Sequence, residues 1–126
     1  VGAADVGRRG EDAAVAYLEA KGLRLLDRNY RFGREEVDAV FFEPTADDAG
    51  GTIVVVEVKA RSGDGYGAPE AAVDAAKQRA ILRVTEAYLH ERRLMPAPVR
   101  FDVVAVRFAG GETRVEHFEN AFGYFV

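Results

Sequence analysis

Cysteine and tryptophan are absent from this 126-residue chain, methionine occurs once and proline four times. Without cysteine there is no disulfide framework, thiolate zinc site, iron–sulfur cluster or cysteine nucleophile. Any chemistry must come from carboxylates, amines, hydroxyls or the two histidines. No run approaches the roughly 18 consecutive apolar residues of a membrane span, and the start Val-Gly-Ala-Ala-Asp lacks a basic stretch followed by an apolar one. Phosphate-cradling loops are missing too: no Gly-x-Gly-x-x-Gly follows a strand pattern, and no Gly-Lys-Ser/Thr occurs. The expectation is one cytoplasmic domain, 1–126, large enough to bury its own core.

Charge is scarce in one sign only locally. Seventeen basic against 21 acidic residues give a net -4, which argues against a uniformly basic coat for nucleic acid. The deficit is concentrated, because Glu35 to Glu57 contains seven acids and no base. The flanking segments Val1–Arg34 and Val58–Arg100 are each net positive, and 14 of the 17 bases are arginine, which contacts phosphate through a planar fork. Net charge therefore limits non-specific affinity for DNA without excluding it.

Hydrophobic periodicity predicts a helix over about Asp5 to Lys21, with Val6, Ala14, Tyr17 and Leu18 on one stripe and Gly22 as its stop, weakened early by Gly7 and Gly10. Leu23 to Asn29 reads as an edge strand, Val37 to Phe42 as a second strand and Ile53 to Arg61 as a third. Ile53-Val54-Val55-Val56 is apolar on both faces, as a central, covered strand requires. Glu43 to Gly51 reads as a solvated hairpin loop, and Ser62 to Ala68 as a flexible glycine-rich rim. A second helix is predicted from Pro69 to about Arg93, burying Val73, Ala76, Ala80, Val84, Ala87 and Tyr88. Phe101–Phe108 and Thr113–Phe118 complete the strands, joined at Gly110-Gly111. The predicted fold class is α/β: a mixed central sheet flanked by helices, in the order α-β-β-β-α-β-β.

Carboxylates fall where a core is expected. Alternation along the third strand puts Glu57 and Lys59 on the face of Ile53 and Val55. Buried charges need a partner, a metal or neutralisation, so the two residues form a salt bridge, lie on a strand end that has already emerged into solvent, or belong to a site. Asp38 shares its face of the second strand with Val40 and Phe42. If Phe42 pairs with Ile53, Asp38 lies across from Glu57, and two carboxylates beside an ammonium suit a hard cation. Glu11 falls near the apolar stripe of the first helix, either as a third acid or as an acid favoured by the helix dipole. Lys77 is placed similarly on the second helix, where a lysine also serves by laying its stem on the core edge. His90 and His117 have no metal-ligand spacing and read as surface or rim residues.

Asp38 followed by Glu57-Val58-Lys59 resembles the PD-(D/E)xK signature of the restriction-endonuclease-like nucleases, on that superfamily's αβββαβ order. A wider resemblance is to the bacterial YraN family, which is similar to archaeal Holliday-junction resolvases. It is carried by Gly7-Arg8-Arg9-Gly10-Glu11, Arg28-Asn29-Tyr30-Arg31, Glu36-Val37-Asp38, Val56-Glu57-Val58-Lys59-Ala60-Arg61, Tyr66-Gly67-Ala68-Pro69, Lys77 and Arg100-Phe101-Asp102-Val103-Val104. Glu35 departs from it, standing where the family usually has glycine. The resemblance implies a metal-dependent DNA endonuclease, with branched DNA among its candidate substrates. Asp38, Glu57 and the Val58 carbonyl would ligate Mg2+ or Mn2+, Glu11 would complete the site, and Lys59 would orient or deprotonate the attacking water. Arg31, Arg61 and Lys77 would meet the DNA backbone, and the analogy with resolvases implies a homodimer. The alternative is a non-catalytic nucleic-acid-binding or partner-binding module on the same fold.

Overall fold

A computed structural model describes residues 2–63 and 72–123. Its elements are α1 (Ala3–Ala20), β1 (Arg24–Phe32), β2 (Glu35–Pro44), β3 (Gly51–Ser62), α2 (Ala75–Glu91), β4 (Val99–Ala109) and β5 (Glu112–Phe122). The strands form one sheet in the order β1-β2-β3-β4-β5. Every neighbouring pair is antiparallel except β3 and β4, which run parallel because the chain crosses over through α2 between them. This is an α/β fold with a restriction-endonuclease-like core, β3 central and β1 at an edge.

Both faces of β3 are covered, which accounts for its unbroken apolar start. One face packs Val54 and Val56 with Phe41, Val104 and Val106 against Ala14 and Leu18 of α1. The other packs Ile53 and Val55 with Val40, Phe101 and Val103 against Ile81, Val84 and Tyr88 of α2.

Local chemistry sets the helix ends. Gly22 has φ +99, and the N–H groups of Gly22 and Leu23 reach Glu19 O at 3.0 Å and Leu18 O at 3.1 Å, which closes α1 with a left-handed glycine cap. Gly10 has a separate role: a Cβ there would overlap the Ala60 Cβ, so glycine lets α1 lie directly on β3. The second helix starts later than predicted. Asp74 accepts a 2.8 Å hydrogen bond from the Lys77 N–H and caps α2 at Ala75, while Pro69 lies outside the described residues. Ala76 is accordingly exposed in the first turn, where the sequence stripe placed it inside.

Tyrosine hydroxyls tie α2 to the edge strand. Tyr88 donates to Asp27 at 2.9 Å, Tyr30 donates to Glu91 at 3.0 Å, and the two rings meet edge to face at 4.9 Å. Burial, the hydrogen bond and the neighbouring carboxylate raise the Tyr88 hydroxyl pKa. The hairpin between β2 and β3 is tighter than expected, because Glu43, Pro44 and Gly51 continue the ladder and leave 45–50 as the loop.

Candidate metal centre

The β2–β3 register has Phe42 opposite Ile53 and continues to Ala39 opposite Val56. The ladder ends there, and Asp38 and Glu57 are the residues that follow its last pair on β2 and β3. The Val58 N–H donates a 2.7 Å hydrogen bond to Asp38 Oδ2, so a side chain replaces the expected backbone partner.

Apart from this bond, the surroundings of Asp38 disfavour a charge. Burial raises its carboxyl pKa first, and Glu57, within hydrogen-bond reach, raises it further, against the lowering effect of the Val58 N–H. The result is pushed up to about 8. Glu57 is itself 15% exposed and is paired with Lys77 Nζ at 3.7 Å. The cation that meets Glu57 therefore comes from α2, across the core edge, and the local Glu57–Lys59 salt bridge considered from sequence is not the pairing found. Lys59 is partly buried on β3, two residues beyond Glu57 and on the same face by alternation.

Glu11 approaches from α1 and adds weakly to the electrostatic pressure on Asp38. Its Oε1 accepts from Asn29 Nδ2 at 3.1 Å and lies 3.5 Å from Arg28 Nη2. Asn29 reaches it from a left-handed turn in β1, φ 53. Among the described residues, no group of three or more His, Asp or Glu side chains is close enough to hold a metal ion. The structure thus brings Asp38 and Glu57 together and leaves Glu11 beside them with its own partners. Arg31 is exposed on β1 with Glu36 at 3.8 Å, and Arg61 is exposed at the end of β3. Of the predicted glycine rim, Gly63 has φ +88, and Gly65 and Gly67 lie outside the described residues.

A second polar cluster escaped the sequence reading. Asp102 is fully buried and accepts from Arg100 Nε and Nη2 at 2.9 Å each, from the Asn120 N–H at 2.9 Å, and pairs with His117 Nε2 at 2.7 Å. Lys21 Nζ lies 2.8 Å from His117 Nδ1. Two such partners assign the Nε2–H tautomer, donating to Asp102 and accepting from Lys21. With its side chain 2% exposed, His117 is not a surface histidine: β5 pairs it with Val104, and Lys21 at the end of α1 covers it. An available signal was Asp102 inside an apolar strand, with Arg100 two residues back on the same face.

Fold and site together define an α/β domain with a restriction-endonuclease-like core and a carboxylate pair at the end of its β2–β3 ladder. The family model described as "Uncharacterised protein family UPF0102" matches residues 10–106, and the chain belongs to that family, the YraN family. A UPF0102 protein of Syntrophotalea carbinolica is 48% identical over 117 residues, covering 93% of this chain and 90% of that protein. One of Symbiobacterium thermophilum is 45% identical over 118 residues, covering 93% and 95%. A third, of Geobacter metallireducens, is 42% identical over 117 residues, covering 93% and 91%.

Proposed function

We propose that this protein is a metal-dependent DNA endonuclease that hydrolyses phosphodiester bonds, with branched or otherwise structured DNA among its candidate substrates. The observation that carries the reading is the Asp38–Glu57 pair. Two carboxylates pressed together at a sheet end, one of them holding a proton into the neutral range, are a costly arrangement without a ligand. Their hard oxygen donors fit Mg2+ or Mn2+, with the Val58 carbonyl as the proposed third ligand and Glu11 in support.

A bound divalent ion supplies neutralisation of phosphate charge and a lowered pKa for a coordinated water. The chain's own residues do the rest. Asp38, fixed by the Val58 N–H, and Glu57 on the neighbouring strand set the position of the ion. Lys59 orients the attacking water or takes its proton, and stabilises charge developing on the scissile phosphate. Lys77 holds Glu57 compensated in the structure described, and with Arg31 and Arg61 supplies charge for the DNA backbone.

A second reading is a nucleic-acid-binding or partner-binding module without turnover. It is favoured by the existing partners of Glu57 and Glu11, which already satisfy both carboxylates. Incubating the protein with linear, flapped and four-way-junction DNA in Mg2+ or Mn2+ separates the two, alongside Glu57→Ala and Lys59→Ala. Metal-dependent cleavage lost in both variants supports the nuclease. Cleavage that survives both, or DNA binding with no cleavage of any substrate, overturns it. Cytoplasmic location and a homodimer belong to the same proposal, and a monomer at micromolar concentration in sedimentation would count against the dimer. No helix among the described residues is long and apolar enough to cross a membrane.

A further inference from the structure

Arg28 and Asn29 are consecutive in β1, yet both reach Glu11 of α1. Asn29 Nδ2 donates to Glu11 Oε1 at 3.1 Å, and Arg28 Nη2 lies 3.5 Å from the same oxygen. In a regular strand successive side chains point to opposite faces, so neighbours do not ordinarily share one target. The left-handed backbone of Asn29, φ 53, breaks the alternation and turns both toward α1. That break falls beside the carboxylate pair. Between the pairs Arg28–Ala39 and Tyr30–Val37, the β1–β2 ladder encloses Asn29 on one strand and Asp38 on the other. On the helix side, Gly10 sits directly on Ala60 of β3, so the next residue, Glu11, is carried close to the sheet. Its charge is felt at Asp38.

Neither the turn nor the docking of α1 accounts for the asparagine side chain. Glycine takes a positive φ without steric strain, whereas a residue with a side chain is uncommon there, asparagine being among the more tolerant. α1 is already tied to β1 by Arg28, 2.9 Å from Asp12, and seated on the sheet by Ala14 and Leu18. What Asn29 adds is a neutral donor on one oxygen of an acid beside the carboxylate pair. The Lys77 ammonium on Glu57 competes with a metal ion for the same negative charge, and so does the Arg28 guanidinium on Glu11. An amide hydrogen bond fixes a carboxylate without neutralising it. Both contacts to Glu11 fall on Oε1, and neither engages Oε2. A glutamate held by one oxygen has already given up rotamer freedom, a loss that otherwise falls on ligand binding.

We propose that Asn29 is a positioning residue of the metal centre, holding Glu11 by Oε1 and leaving its other oxygen for a divalent cation at Asp38 and Glu57. The inference rests on the metal-dependent reading of that pair and adds the residue that makes Glu11 available as a third acid. Asn29 does not touch the cation. Its effect passes through Glu11, in the way that outer hydrogen bonds orient the ligands of metal sites.

The test is Mn2+ binding to the whole chain at pH 8 without DNA, read from the electron paramagnetic resonance signal of free Mn2+. Asn29→Gly keeps the left-handed turn and removes only the amide side chain. It is compared with Glu11→Gln, the double variant and Glu57→Gln. Asn29→Gly is expected to weaken Mn2+ binding about 10-fold, the lower end of what loss of an outer hydrogen bond costs a metal site. In the Glu11→Gln background the same substitution is expected to change affinity by less than about 2-fold, because a residue that acts through another loses its effect when that partner is removed. Melting of metal-free Asn29→Gly in EDTA stays within about 5 °C of the wild type, since Asn29 is exposed and glycine suits the turn. Wild-type affinity in Asn29→Gly, with affinity lost in Glu57→Gln, overturns the positioning role and leaves the metal centre standing. An equal loss in the Glu11→Gln background overturns it as well, because Asn29 then acts by another route. A melting temperature lowered by more than about 5 °C marks Asn29 as structural and has the same consequence. Absence of Mn2+ binding in the wild type, or binding that Glu57→Gln leaves unchanged, removes the metal-dependent reading itself and this inference with it.

Discussion

The Val58 N–H reaches 2.7 Å to Asp38 Oδ2 across the β2–β3 boundary, and this bond holds a carboxyl group against its neighbour Glu57 in a partly desolvated site. Fixing one acid on the backbone of the strand that carries the other keeps the pair from relaxing apart. The neutral form of Asp38 relieves the repulsion.

That arrangement ties stability to pH. Asp38 keeps its proton in the folded chain up to about 8 and loses it near 4 when unfolded, so the native state binds more protons between those values. Stability therefore falls as pH rises from 4 to 8. Asp38→Asn is expected to flatten this fall and to stabilise the metal-free protein at pH 8 by on the order of 2–4 kcal/mol, after discounting the full shift for proton sharing with Glu57. Urea denaturation in a chelator at pH 5 and pH 8 measures it. An unchanged pH slope in the variant would show that Asp38 titrates normally.

Divalent binding should carry the same signature in reverse. A cation needs both carboxylates ionised, so Mn2+ affinity rises with pH toward 8 and binding releases protons. Calorimetry in buffers of different ionisation heat reports that release. Glu57→Gln should weaken binding about 10-fold or more, the scale expected when a charged oxygen ligand is lost. Affinity that is independent of both pH and Glu57 would place the ion elsewhere.

The buried Asp102 cluster is expected to matter for stability. Asp102→Ala strips the carboxylate from Arg100, His117 and the Asn120 N–H at once, and breaking a buried ion pair on one side costs about 3–5 kcal/mol. Chemical denaturation of this variant beside Arg24→Gln gives the comparison. A loss below about 1 kcal/mol, the ceiling for surface pairs, would mean that the cluster is dispensable.

Gly10 offers a steric test. In an isolated helix alanine is better than glycine by about 1 kcal/mol, yet here its Cβ overlaps Ala60. Gly10→Ala should destabilise by about 1–3 kcal/mol, as overpacking does, and Ala60→Gly should restore most of the loss in the double variant. Additive losses in the double-mutant cycle would rule out the contact as the cause.

Element order, the central place of β3 and the edge place of β1 were legible in the sequence, because period-2 and period-3.6 patterns and a glycine stop are local properties; the Phe42–Ile53 register was one pairing the long loop allowed, and the folded sheet selected it. Asp38, Glu57 and Lys59 stood out for the same reason: charges interrupt runs that otherwise read as buried. The start of α2 did not, since Pro69 and Asp74 are both good helix openers and only capping at Asp74 selects Ala75 among the described residues. Partner choice was also beyond local pattern. Lys77 is found on Glu57, Arg28 and Asn29 on Glu11, and a buried His117 on Asp102, each pair joined from separate elements. What the chain determined alone is which residues face inward and which charges are out of place. What only the tertiary structure decided is which of those charges meet, because ion pairing depends on distances between strands and helices that lie 15 to 96 residues apart in the chain.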